Sequence, residues 1–141
     1  MFTTTHLHPM LVHFPIALVA IGFLADLISL FIKKELFFPK MSFYLLLLGT
    51  LSAIAAVLSG VFFTSEMSGT AGEVQETHEL LAFITLSLLV ITSLLRIIQL
   101  RKPESYNLKW SAFVLYALAT IAVSITGFYG GNLVYNYMMP L

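Results

Sequence analysis

The stretch that decides the fold is "SFYLLLLGTLSAIAAVLSGVFFT", residues 42–64, which contains no charged side chain. A transmembrane helix needs about 20 predominantly apolar residues to cross the hydrocarbon core of a bilayer. Three further long apolar runs occupy residues 10–32, 80–100 and 110–129. The sequence therefore predicts four transmembrane helices in a single domain over residues 1–141, an all-α integral membrane four-helix bundle.

The composition supports the same fold class and excludes several functions. Hydrophobic residues make up 59% of the chain and charged residues 10%, whereas soluble domains carry about 25% charged residues. A soluble globule of this size could not bury so much apolar surface. The net charge of zero gives no indication of nucleic acid binding, and the absence of cysteine excludes thiolate metal sites, iron–sulfur clusters and covalently attached c-type haem.

The basic residues predict the orientation of the bundle in the membrane. All seven fall in, or just before, the first and third connections between the apolar runs: Lys33, Lys34, Lys40, Arg96, Arg101, Lys102 and Lys109. Since positive charge accumulates in cytoplasmic loops, these connections are predicted to face the cytoplasm. The N-terminus and the C-terminus are then both outside, on the periplasmic side of a bacterial inner membrane.

Two charged side chains lie inside the apolar runs, Asp26 in the first and Arg96 in the third. A charge at this depth costs several kcal/mol unless it is paired, and both lie a few residues from the cytoplasmic ends of their runs. We expect a structural ion pair between Asp26 and Arg96. A proton relay is the alternative, but the middle of the predicted bundle carries no further ionisable group.

Small residues at helical spacing predict which faces pack inside the bundle. In lipid, helices associate where small side chains let their backbones approach. The second run carries one such face and the fourth carries another: Gly49, Ala53, Ala56 and Gly60, then Thr120, Ser124, Gly127 and Gly131. These faces suit helix packing, and they equally suit a flat cofactor that needs room.

All four histidines lie at the predicted outer end of the bundle. Three occur in "THLHPMLVHFPIAL", residues 5–18, and His78 precedes the third apolar run. His6 is interpreted as exposed tail and His8 as the residue that caps the first helix. His13 lies inside that helix, and His78 shares a helix face with Arg96, which points into the bundle.

Local signals predict where two of the helices begin. Pro9 suits the first position of a helix, where its missing N–H is not needed. Pro15 removes a backbone hydrogen bond and is expected to kink the turn that carries His13. The motif TAGE at residues 70–73 has the form of a capping box and predicts a helix start near Ala71.

The histidines suggest a haem site between the first and third apolar helices, because haem iron binds two imidazoles from facing helices of a bundle. His13 and His78 are the preferred ligands, with His8 as the alternate. Glycines at the end of the fourth run would let backbone approach the ring, and nearby polar residues could donate hydrogen bonds: Gly127, Gly130, Gly131, Asn132, Thr64 and Ser65.

Two other interpretations of the histidines stay open. They could be interfacial polar residues that cap helices and bind loop carbonyls, with no cofactor at all. They could also form a compact zinc or copper site, with additional ligands from acidic side chains: His8, His13, His78, Glu66 and Glu79. No tight pair of histidines one turn apart supports the compact site, and Met138 and Met139 are more typical of packing than of copper binding.

Three motifs together resemble a known family. "HPMLVHFPIAL" (residues 8–18), "HELLA" (78–82) and "GGNLVY" (130–135) resemble the bacterial four-helix membrane proteins grouped as domain-of-unknown-function family 2231. The resemblance covers essentially the whole chain. It departs from the family pattern in the tail "NYMMPL" (136–141), where a glycine is expected. The resemblance implies cytochrome b-like membrane proteins in a respiratory setting, often beside Rieske or cytochrome c modules.

The leading functional hypothesis is a small b-type cytochrome subunit with one haem b near the outer face. It would exchange electrons with a periplasmic redox carrier, or with a quinol, inside a larger membrane complex. The alternative is a cofactor-free accessory subunit of such a complex, and an outer zinc or copper site ranks third. An electron-transfer or accessory subunit is favoured over a stand-alone enzyme.

Overall fold

The structure, a computed structural model, describes residues 7–137 and is all-helical over that range. Its helices are α1 (Leu7–Leu11), α2 (His13–Phe31), α3 (Phe37–Phe63), α4 (Gly69–Arg101) and α5 (Tyr106–Tyr135). α1 and α2 form one broken span, and together with α3, α4 and α5 this gives four segments long and apolar enough to cross a membrane. The predicted all-α membrane fold is confirmed.

The four spans form a ring of antiparallel helices joined by short connections. The most extensive contacts join α2 to α3 and α4 to α5, and smaller contacts of α3 with α4 and of α2 with α5 close the ring. α2 therefore lies diagonally opposite α4, and α3 lies diagonally opposite α5. We call the end that contains α1 and the start of α4 the histidine end, and the opposite end the basic end.

The core is narrow and the outer surface is apolar. Val19, Leu46, Leu89 and Tyr116 are fully buried where the four spans meet. Large hydrophobic side chains such as Phe31 remain largely exposed on the outside of the ring. A continuous apolar surface of this extent marks a membrane-facing protein, because lipid is as apolar as the core.

The small-residue face predicted on α3 packs inside the bundle. A Cβ at Gly49 would lie 2.9 Å from Cγ2 of Val19, so α2 and α3 can approach this closely only with glycine there. Ala53 and Ala56 of the same face are buried. The face predicted on α5 is wrong in part: Ser124 is exposed, and Ala119 and its neighbours form the buried side instead.

The first span is broken next to Pro15. α1 ends at Leu11 and α2 begins at His13, with Val12 in a turn between them. Proline at residue 15 has no N–H to donate to the carbonyl of Leu11, one helical turn earlier. The break lies in the turn where the sequence predicts a kink. Pro9 is the third residue of α1 rather than the first, so His8 lies within the helix and does not cap it.

The start of α4 differs from the predicted capping box. The helix begins at Gly69, whose φ of 64° lies in the left-handed region that favours glycine. Its N-cap residue, Ser68, makes no side-chain capping bond. The loop is held instead by Gln75, whose Oε1 accepts a hydrogen bond from the N–H of Met67 at 2.8 Å. The side chain of Gln75, about two turns into α4, therefore holds the loop that leads into the helix. The first residue of α4 is Gly69 rather than Ala71.

The predicted ion pair between Asp26 and Arg96 is present. The guanidinium of Arg96 donates to Oδ2 of Asp26, and the two side chains are only 7% (Asp26) and 13% (Arg96) exposed. Arg96 also donates to Oε1 of Gln99 at 3.0 Å. Because Asp26 lies on α2 and Arg96 on α4, the pair joins diagonally opposite helices toward the basic end.

Candidate cofactor site

A cavity of 520 Å³ lies at the histidine end of the bundle. All the helices contribute to its wall, together with the connection that follows α3. Pockets of about 300 to 1,000 Å³ are typical of small-molecule and cofactor sites. The polar groups that line it include three of the histidines that the sequence singled out, His8, His13 and His78.

His8 is held against α3. Its Nδ1 lies 3.0 Å from the carbonyl oxygen of Ala56 and 2.9 Å from Oγ of Ser59. A carbonyl oxygen can only accept a hydrogen bond, so Nδ1 of His8 carries the proton and donates it. In the neutral ring this leaves a lone pair on Nε2, which is the form of imidazole that binds a metal.

His78 is held against α5 in the corresponding way. Its Nδ1 donates to the carbonyl oxygen of Thr126 at 3.0 Å. The hydroxyl of Thr126 in turn lies 3.0 Å from that of Thr85, which connects the same turn of α5 back to α4. Nε2 of His78 is therefore also the nitrogen with the lone pair.

The two imidazole rings lie next to each other across the bundle. Their centroids are 6.1 Å apart, and the ring planes are inclined at 76°. Since both Nδ1 atoms are bound to helix carbonyls, each ring keeps Nε2 free for a group bound in the cavity.

Small residues occupy the other diagonal of the bundle at this level. Ala53, Ala56 and Gly60 of α3 line the cavity, and Gly127 and Gly130 of α5 line it from the opposite side. The histidines therefore come from the diagonal of α1 and α4, and the small side chains come from the diagonal of α3 and α5. The absence of side chains at Gly60, Gly127 and Gly130 lets His8, Ile16 and His78 pack close to α3 and α5.

Two of these glycines directly accommodate the histidine rings. A Cβ at Gly60 would lie 3.1 Å from Cε1 of His8, and a Cβ at Gly130 would lie 3.0 Å from Cε1 of His78. Both separations are shorter than ordinary van der Waals contact. Glycine at these positions thus lets each imidazole approach the neighbouring helix closely enough for its Nδ1–H to reach a backbone carbonyl.

The structure changes the order of preference among the histidines. His13 was the preferred partner of His78, but its side chain is exposed and its Nδ1 donates to the carbonyl of Pro9 at 2.7 Å, within its own span. His8, the alternate ligand, takes the position facing His78. The reason is that His8 lies inside α1, whose side chains reach α3, whereas His13 starts α2 and borders the cavity at its opening.

The remaining predicted site residues divide into those that line the cavity and those that do not. Gly131 and Thr64 line it, although Thr64 donates its hydroxyl to the carbonyl of Gly60 on its own helix. Asn132 is absent from the wall and binds the side chain of Asn136. The carbonyl of Ser65 accepts a hydrogen bond from Nε2 of Gln75 at 3.3 Å.

Three residues that hold the site together could not be recognised from the sequence. Ser59 lies within the small face of α3, where a serine is as expected as an alanine. Thr126 binds His78 through its backbone carbonyl, which any residue would supply. Gln75, buried beside the cavity, was recognisable only from the geometry of the loop that it holds.

The compact zinc or copper site is not formed by the part of the chain that the structure describes. Within residues 7–137, no group of three or more histidine, cysteine, aspartate or glutamate side chains could hold a metal ion. Zinc sites in proteins take three or four protein ligands. Glu66 and Glu79 line the cavity, but Glu79 accepts a hydrogen bond from Gln75 at 3.1 Å. His6, Met138 and Met139 lie outside the described residues.

A known family model matches nearly the whole of this chain. The family model described as "Predicted membrane protein (DUF2231)" matches residues 4–140. The chain belongs to the DUF2231 family. This match confirms the resemblance seen in the motifs at residues 8–18, 78–82 and 130–135, and it shows a membrane protein. No curated protein and no solved structure matches the chain in the other two comparisons.

Proposed function

We propose that this DUF2231 protein binds one haem b between His8 and His78 and serves as an electron-transfer subunit. The observation that carries the proposal is the pair of imidazoles 6.1 Å apart, each anchored through Nδ1 to a backbone carbonyl. A haem-ligating histidine commonly donates its second ring nitrogen to such an acceptor, which fixes the tautomer and the ring orientation. His8 of α1 and His78 of α4 would hold such a haem through their Nε2 atoms.

The size and lining of the cavity favour haem over a bare metal ion. An isolated ion bound by two imidazoles needs no flat space beside it, whereas the cavity here has a volume of 520 Å³. Ala53 and Ala56 of α3 line the cavity with short side chains, whereas the space beside Gly60, Gly127 and Gly130 is filled by His8, Ile16 and His78. When bound there, haem would supply one-electron chemistry at its iron, and the surrounding apolar wall would limit the access of water.

The location of the site determines which partners the subunit would serve. The whole cavity lies at the histidine end, and the only two facing histidines of residues 7–137 belong to it. With a single cofactor at one end, the protein would accept and donate electrons on the same side of the membrane. A periplasmic redox carrier, or a quinol reaching the outer interface of a bacterial inner membrane, fits that arrangement, within a larger membrane complex.

The absorption spectrum of the purified protein tests the proposal. We expect a Soret band and low-spin α and β bands on reduction when the protein is produced with haem available. His8→Ala and His78→Ala should each lose at least nine-tenths of the bound haem or convert it to a high-spin form. His13→Ala is the matched control and should keep the wild-type spectrum.

A colourless wild-type protein after haem supplementation would contradict the proposal and favour a cofactor-free accessory subunit. Equal loss of haem in His13→Ala and His8→Ala would show that the ligand pair is assigned incorrectly. Haem stoichiometry, measured as the pyridine haemochrome per chain, should approach one in the wild-type protein.

A further inference from the structure

The two proposed ligands differ in how their Nδ1 atoms are bound. Within the described residues, Nδ1 of His78 has one acceptor, the carbonyl of Thr126. Nδ1 of His8 has two, the carbonyl of Ala56 at 3.0 Å and the hydroxyl oxygen of Ser59 at 2.9 Å. The environment of His8 is therefore richer in hydrogen-bond acceptors than that of His78.

The hydroxyl of Ser59 can only accept from His8. Its own proton goes to the carbonyl of Ala56, at 2.7 Å, one helical turn earlier on α3. Ser59 is 3% exposed, so no solvent competes for either bond. The Nδ1 proton of His8 is therefore shared between two oxygen acceptors. Both acceptors favour the tautomer of His8 that keeps the lone pair on Nε2.

His8 and His78 also differ in their place along the helices that carry them. α1 has five residues, all of them at least partly exposed, and the turn at Val12 separates it from α2. His78, in contrast, lies ten residues into α4, a continuous helix of 33 residues. The contacts of Nδ1 with Ala56 and Ser59 of α3 fix the orientation of the His8 ring.

We infer that Ser59 is the positioning residue that orients His8 toward the cofactor and strengthens it as a ligand. This inference rests on the proposed haem site. A hydrogen bond from Nδ1–H to an acceptor increases the basicity of the opposite nitrogen, which stabilises the ferric state relative to the ferrous state. Ser59 thereby lowers the midpoint potential of the bound haem and tightens its binding on the α1 side of the cavity.

The experiment compares three substitutions on α3 in the full-length protein. Ser59→Ala removes the hydroxyl that accepts from His8, and Ser59→Thr keeps a hydroxyl there. Ser52→Ala is the matched control, because Ser52 lies on the same helix, outside the cavity wall. Its hydroxyl donates to the carbonyl of Gly49, as that of Ser59 does to the carbonyl of Ala56. We expect Ser59→Ala to keep a six-coordinate haem, with a raised midpoint potential and roughly tenfold weaker haem affinity. Ser59→Thr should restore the potential, and Ser52→Ala should leave it unchanged.

A second measurement examines the histidine tautomer without any haem. In the haem-free protein labelled with ¹⁵N-histidine, His8 should show a protonated Nδ1 and an unprotonated Nε2, and Ser59→Ala should increase the population of the other tautomer. Wild-type potential and haem affinity in Ser59→Ala, together with an unchanged tautomer, would overturn the inference. If the wild-type protein binds no haem, the proposed function fails, and the ¹⁵N spectra still decide whether Ser59 orients His8.

Discussion

At the scale of single residues, two adjacent glycines on α5 allow a controlled test of the space around His78. A Cβ at Gly130 would lie 3.0 Å from Cε1 of His78, whereas a Cβ at Gly131 would meet nothing within 4 Å. Gly130→Ala should therefore displace the imidazole and reduce bound haem by at least half, as read from the Soret absorbance per chain. Gly131→Ala adds the same methyl group to the same helix.

The paired substitution separates crowding of His78 from any change in helix propensity. Alanine favours a helix over glycine by about 1 kcal/mol at either position, so both variants gain the same local stabilisation. We expect Gly131→Ala to keep the wild-type spectrum. A wild-type spectrum in Gly130→Ala as well would contradict the tight approach of His78 to α5.

The sequence predicted the end of the bundle at which two histidines meet, but not that His8 is the one next to His78. His78 could be assigned to the inside because α4 is continuous, so its face follows from counting back from Arg96. For the first span, depth in the helix favours His13, whereas the helix face favours His8. His8 shares a face with Pro15, Gly22 and Asp26, which are buried, and Val12 keeps right-handed helical angles (φ −63°, ψ −21°), so counting back from Asp26 gives the correct histidine.

At the scale of the helices, the ion pair between Asp26 and Arg96 is predicted to stabilise the crossing of α2 and α4. Breaking a buried pair leaves one charge without a partner and costs about 3 to 5 kcal/mol. Asp26→Asn and Arg96→Met should each destabilise the protein by this order in detergent, measured by thermal or denaturant unfolding. The double variant should recover most of the loss, because neither charge is then left unpaired.

The outcome of this cycle distinguishes a structural ion pair from a proton relay. Two additive losses would mean that the side chains do not interact. If the pair is structural, the haem spectrum of the double variant should remain that of the wild type, since the pair lies toward the basic end and outside the cavity wall. The pairing could be predicted from the sequence because two opposite charges at equal depth in lipid have few other partners.

Helix boundaries were less predictable than the spans themselves. The four spans follow from hydrophobic length alone. The start of α4 at Gly69 lies well before its apolar run and within two residues of the start that the TAGE motif predicts, although the predicted capping bond does not form. The exposed first turns of α4 carry Glu73 and Glu76, so hydropathy does not detect them. The side chain that fixes the preceding loop, Gln75, acts through a contact with Met67 across the loop, which no local capping pattern encodes.

At the scale of the whole molecule, the basic residues and the candidate cofactor site lie toward opposite ends of the bundle. The cavity with its two imidazoles lies at the histidine end, whereas all seven lysines and arginines lie toward the basic end. Four spans return the chain to its starting side, so residue 7 and residue 137 lie at the same end. The proposed electron transfer therefore depends on which end faces the periplasm.

The sequence contains no cysteine, which makes this orientation directly measurable. Glu73 and Lys102 are exposed residues at opposite ends of α4, and each can be replaced by cysteine in an otherwise cysteine-free protein. From the positive-inside distribution, we expect a membrane-impermeant maleimide to label Glu73→Cys in intact cells. Lys102→Cys should be labelled only after the membrane is permeabilised. The reverse pattern would place His8 and His78 on the cytoplasmic side, and electron exchange would then have to involve a cytoplasmic partner.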